Sequence, residues 1–87
     1  MKLIRINLLG SIKKLIGHSN LQINEEELAN VKEIISYLEN NYYSNNKINE
    51  NEILVAINGI ESSLLGGHNA KISSGDVVTI LSVVHGG

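Results

Sequence analysis

Only one segment of this chain carries a sustained helical stripe, and that stripe has to be covered. Val31, Ile34, Ile35, Leu38 and Tyr42 fall on one face at helical spacing, while Lys32, Glu33, Ser36, Glu39 and Asn40 fall on the other. Asn30 stands where an N-cap belongs, with Glu33 at the third helical position, a variant of the capping box. A helix of about three turns is marginal by itself and holds only if its apolar face is laid on something else. The rest of the sequence offers strands for that purpose, so the pattern points to a sheet with one main helix packed on it.

Ile4, Ile6 and Leu8 alternate with Arg5 and Asn7, the period of a strand with one buried face. Gly10-Ser11 interrupts it. Ile12, Leu15 and Ile16 then recur at i, i+3 and i+4, a short helical turn closed by Gly17. Leu21 and Ile23 mark a second short strand, antiparallel to the first as a hairpin partner. The acidic run Glu25-Glu26-Glu27 reads as a solvated turn ahead of the helix. Beyond the helix, residues 45–52 are polar except for Ile48 and read as a surface loop. Ile53–Ile57 is an apolar run of strand length that ends in the tight-turn pair Asn58-Gly59, and residues 60–63 could return as an edge strand. Gly66-Gly67 and Ser74-Gly75-Asp76 are further turns, the aspartate there satisfying local backbone groups. Residues 77–83 supply a last strand. Strand, strand, helix, strand, short strand, strand is an α+β order with a mixed sheet of four to five strands. One domain over residues 1–83 and a tail over 84–87 account for the chain.

Composition narrows the function. Three tyrosines are the only aromatics, so the core must be built from Ile, Leu and Val. There is no cysteine, hence no disulfide framework and no thiol chemistry of the chain's own. Seven Lys or Arg against nine Asp or Glu leave a net charge of −2, which argues against direct nucleic-acid binding. No apolar run approaches the ~20 residues of a membrane span, and the alternating N-terminus is unlike a signal peptide; a soluble cytoplasmic protein without membrane attachment is the expectation. Phosphate loops and nucleophile elbows are missing from the sequence. His18, His68 and His85 fall in turns or the tail, far apart, and read as exposed loop residues, so no metal site is expected.

What remains is the ending, Gly86-Gly87. Neither residue has a Cβ to obstruct a narrow channel, and Val84, His85, Gly86 and Gly87 together could span about 13 Å at ~3.3 Å per residue. A terminal carboxylate is inert until one oxygen becomes a leaving group. Adenylation by a partner enzyme would provide that, opening the carbonyl to sulfur or to an amine. The chain would then be a co-substrate and not an enzyme.

Four segments resemble the β-grasp, ubiquitin-like sulfur carriers, a group that takes in the ubiquitin-related modifiers, the small subunit of molybdopterin synthase and the thiamin sulfur carrier. Leu8-Leu9-Gly10-Ser11-Ile12-Lys13-Lys14-Leu15-Ile16-Gly17 looks like the family's strand end and helical turn. Asn30-Val31-Lys32-Glu33-Ile34-Ile35 resembles its helix opening, and Ile57-Asn58-Gly59 its Val-Asn-Gly turn. Ser74-Gly75-Asp76-Val77-Val78 is similar to its turn into the last strand. The chain departs from molybdopterin-synthase subunits in having no proline before the tail, and His85-Gly86-Gly87 is closer to the ubiquitin-related modifiers.

The resemblance implies a β-grasp fold and a set of partners. An E1-like activating enzyme would use ATP to adenylate Gly87, with no cofactor bound to the chain itself. A sulfur-donor protein would then convert the carboxyl group to a thiocarboxylate, for tRNA thiolation by a thiolase or for the large subunit of molybdopterin synthase. Target proteins could instead receive Gly87 on their lysines. The alternatives are the molybdopterin-synthase small subunit specifically, or a β-grasp interaction domain that is never activated. Family aromatics on the exposed sheet face have Leu9 and Leu81 as their counterparts here, and with Ile60 these are expected to form an apolar docking patch.

Overall fold

The computed structural model describes residues 2–82. The expected alternation builds β1, Ile4–Gly10, in which Ile4, Ile6 and Leu8 are fully buried and Arg5 and Leu9 are exposed. α1, Ser11–Ile16, buries Ile12 and Ile16 but leaves Leu15 about half exposed. β2, Asn20–Ile23, runs antiparallel to β1, pairing Ile4 with Ile23 and Ile6 with Leu21.

α2, Val31–Tyr42, opens as the sequence indicates. The Asn30 side chain accepts the Glu33 N–H (2.9 Å), and Glu33 Oε1 accepts the Ala29 N–H (3.0 Å). The first bond satisfies a first-turn donor that the helix cannot satisfy internally, and the second ties down the Ala29 N–H just ahead of the cap. Val31, Ile34, Ile35 and Leu38 are buried, while Tyr42 lies at the margin with its ring edge-on to His18 (centroids 5.4 Å apart). Tyr37 is half-buried nearby. Desolvation, with Tyr42 and Glu25 adding to it, pushes its phenol above the ordinary value of 10.0.

Glu39 departs from the helical-wheel reading. It is buried, not on the solvent face, because Oε2 accepts the Ile48 N–H (2.6 Å). Ile48 departs with it: the one apolar residue of the supposed surface loop is a core residue. The loop folds back over α2, and the carboxylate meets the backbone donor that the insertion of Ile48 would otherwise strand.

β3, Ile53–Ile57, and β4, Ile60–Glu61, form a hairpin across Asn58-Gly59, both with positive φ (52° and 82°) as a type I′ turn requires. β4 is shorter than the sequence suggests, since residues 62–64 turn into a 3-10 helix. β5, Val77–Ser82, lies between β1 and β3. The sheet order is β2-β1-β5-β3-β4, with β1 and β5 parallel and every other pairing antiparallel. That parallel pair needs a long crossover, and α2 lies within it, laid across one face. The core is aliphatic throughout. Ala70 and Ile72, in the segment before β5, join it where Val31 N–H donates to Ala70 O (3.2 Å) and Ile72 N–H to Ala29 O (2.9 Å). Among the described residues no helix is long and apolar enough to cross a membrane.

Candidate functional site

The face of the sheet opposite α2 is uncovered, and register decides what it displays. β2 and β1 contribute Gln22, Arg5, Asn20 and Asn7; β5 contributes Val77 and Thr79, β3 Ala56 and β4 Glu61. One end of the face is therefore largely polar. At the other end Leu81 is paired with Leu9 on one side and with Leu54 on the other. Three leucines from three adjacent strands thus stand in a row. Leu9 and Leu54 are each 48% exposed, and Leu81 between them is partly covered.

Leu9 and Leu81 are brought together as the alternation indicated, and Leu54 is the member that sequence reasoning missed. Ile53–Ile57 is apolar at every position, so no alternation distinguishes its two faces; only its register against β5 does. Ile60 is not brought into the row. It is paired with Ile57, a core residue, which puts it on the helix side of the sheet at the hairpin edge, though it too is 48% exposed.

The row lies at the C-terminal end of the described residues. Leu81 precedes Ser82, the last described residue, so Val84, His85, Gly86 and Gly87 lie outside the described residues. So does residue 83, where the domain boundary was drawn. Ser82 itself is buried. Its Oγ accepts the Ile12 N–H (2.7 Å) and lies 2.6 Å from Ser11 Oγ.

Elsewhere the polar groups are engaged structurally. Asp76 Oδ2 accepts the Ser73 N–H (2.7 Å) and Oδ1 the Asn58 side-chain amide (3.0 Å), while Asn58 Oδ1 accepts the Val77 N–H (2.9 Å). His68 is exposed, as expected, but sits in a 3-10 helical turn over residues 67–69, with Nδ1 2.7 Å from Glu50 Oε1. Among the described residues no group of three or more His, Cys, Asp or Glu could hold a metal ion.

A mixed five-stranded sheet on one main helix, with an aliphatic core and an uncovered face, is a β-grasp, ubiquitin-like protein. Comparison with family-wide sequence patterns matches residues 6–87 to the ThiS family, and the chain belongs to that family of small sulfur carriers and modifiers. The fold is similar to that of Urm1 from Trypanosoma brucei, with a TM-score of 0.78 at 22% identity over 99% of this chain and 96% of that one. Small archaeal modifier protein 1 from Methanosarcina acetivorans gives 0.77 at 21% identity over 100% and 98% of the two chains. A chain of the Amycolatopsis orientalis BexX/CysO complex gives 0.72 at 24% identity over 97% and 99%. No curated protein matched in sequence.

Proposed function

We propose that this chain is consumed at Gly87. An E1-like activating enzyme docks on the Leu9–Leu81–Leu54 row and receives the tail Val84, His85, Gly86 and Gly87 in its active-site channel. A carboxylate oxygen of Gly87 attacks the α-phosphorus of ATP and pyrophosphate leaves. ATP is the partner's substrate, and no cofactor resides on this chain. The terminal persulfide sulfur of a donor protein then attacks the acyl carbon and AMP departs. A second thiol of the donor system cleaves the resulting sulfur–sulfur bond, releasing the thiocarboxylate. Sulfur must come from outside, because the chain has no cysteine.

The product would serve tRNA thiolation or molybdopterin synthesis. Attack by a lysine amine in place of sulfur would give an isopeptide bond to a target protein. The sequence His85-Gly86-Gly87, with no proline before it, favours the modifier and tRNA-thiolation branch. The observation that supports the reading is the position of the leucine row on the uncovered face, where Leu81 immediately precedes the last described residue, Ser82. A partner seated there would have the tail within reach.

The test is intact-mass measurement after incubation with an E1-like enzyme, ATP and a sulfur source. The expected product has gained one sulfur and lost one oxygen. Deleting Gly87 should abolish that product without lowering the melting temperature. An unmodified mass, under conditions that convert a carrier known to be activated, would refute the reading.

A further inference from the structure

Ser82, the last described residue, is tied by its side chain to a helix start from the opposite end of the chain. α1 begins at Ser11 directly after Gly10, whose lack of a side chain leaves the helix without a cap of its own. The first-turn N–H groups of a helix have no internal acceptor. Ser82 Oγ supplies one, taking the Ile12 N–H at 2.7 Å across 70 residues of sequence, and it shares a second hydrogen bond of 2.6 Å with Ser11 Oγ.

Gly10 makes that approach possible. Its backbone is paired with Ser82, and a Cβ at Gly10 would lie 2.6 Å from the Ser82 carbonyl oxygen and 3.2 Å from its Oγ. With φ at 78°, the position also disfavours any side chain. The last residue of β5 is therefore gripped on its backbone by the end of β1 and on its side chain by the start of α1.

We infer that Ser82 is a positioning residue for activation at Gly87, fixing the end of β5 beside the row Leu9–Leu81–Leu54. This rests on the function proposed above. Docking on the row sets the position of the body, and the clasp holds Ser82, five residues ahead of Gly87 in sequence, in fixed relation to it. A reaction at the far end of a short segment depends on where the segment is rooted, since misplacement by an ångström can cost about 10²-fold in rate. Loosening the root changes the turnover of the docked complex and leaves docking as it was.

The test has two arms. In the first, amide hydrogen exchange on the wild-type chain should show the Ile12 N–H protected, and Ser82→Ala should expose it. An Ile12 amide that exchanges freely in the wild type overturns the inference without recourse to any partner. In the second, steady-state adenylation by the E1-like enzyme is followed as pyrophosphate release. Ser82→Ala should lower kcat about tenfold, with KM for the carrier held within about twofold. Ser11→Ala, which retains the Ile12 bond, should lose less. Ile57→Val, a core truncation on β3 remote from the clasp, supplies a destabilised chain with unchanged kcat and KM. If Ser82→Ala slows turnover no more than Ile57→Val, or acts through KM, the clasp does not position the tail. A wild-type chain that is not adenylated overturns the function itself; an adenylated wild type with an unaffected Ser82→Ala overturns only the clasp.

Discussion

Truncating Leu9 and Leu54 together to alanine should weaken docking of the activating enzyme while sparing the chemistry. Each side chain is 48% exposed in the free protein. Complete burial of a leucine stabilises by about 2 kcal/mol, so the half still in water leaves each about 1 kcal/mol to give to a partner. The pair therefore represents about 2 kcal/mol, or roughly 30-fold in affinity. Leu64 is a sharp control, because it is 77% exposed and lies outside the row. If exposed apolar area alone governed docking, Leu64→Ala would cost more than either single truncation. Adenylation kinetics with the E1-like enzyme decide the matter. The double variant should raise KM for the carrier about 30-fold with kcat within about twofold, the opposite split to that expected of Ser82→Ala. Leu64→Ala should leave both parameters unchanged. An unaltered KM in the double variant, with the wild type adenylated, would refute the assignment of the row; so would a Leu64→Ala effect of equal size.

Two further outcomes concern stability. Glu39→Ala leaves the buried Ile48 N–H without its acceptor and should destabilise by about 2–3 kcal/mol in urea melts. Lys47→Ala should cost only about 0–0.5 kcal/mol, because its side chain is 88% exposed and its ammonium lies 3.8 Å from the carboxylate; equal losses would contradict the buried-acceptor account. Asp76→Ala removes the acceptors of the Ser73 N–H and the Asn58 amide and should cost about 1–2 kcal/mol, or roughly 4–8 °C of melting temperature per kcal/mol. Its turn precedes β5 while the tail follows it, a strand's length of about 20 Å away, so kcat and KM for adenylation should not move.

Local patterns along the chain were enough for most of the architecture. The alternation in β1, the stripe and cap of α2, the backbone of the Asn58-Gly59 turn and the Asp76 bond to the Ser73 N–H each depend on neighbours within a few residues, and such neighbours can be read in order. Leu9 and Leu81 could be assigned to the uncovered face by the same counting. Glu39, Ile48, Leu54 and Ser82 could not, because each is defined by a partner distant in sequence or by the register of a strand with no alternation of its own. Glu39 stands at a polar wheel position, yet it is buried by a loop that returns to meet it. Leu54 belongs to the row only because β3 is set against β5 in one register, and a slip of one residue would turn it to the core. Ser82 caps a helix that begins 71 positions before it. Short-range periodicity specifies which side of an element is apolar; the placement of β5 between β1 and β3 decided which leucines meet, and what holds the root of the tail.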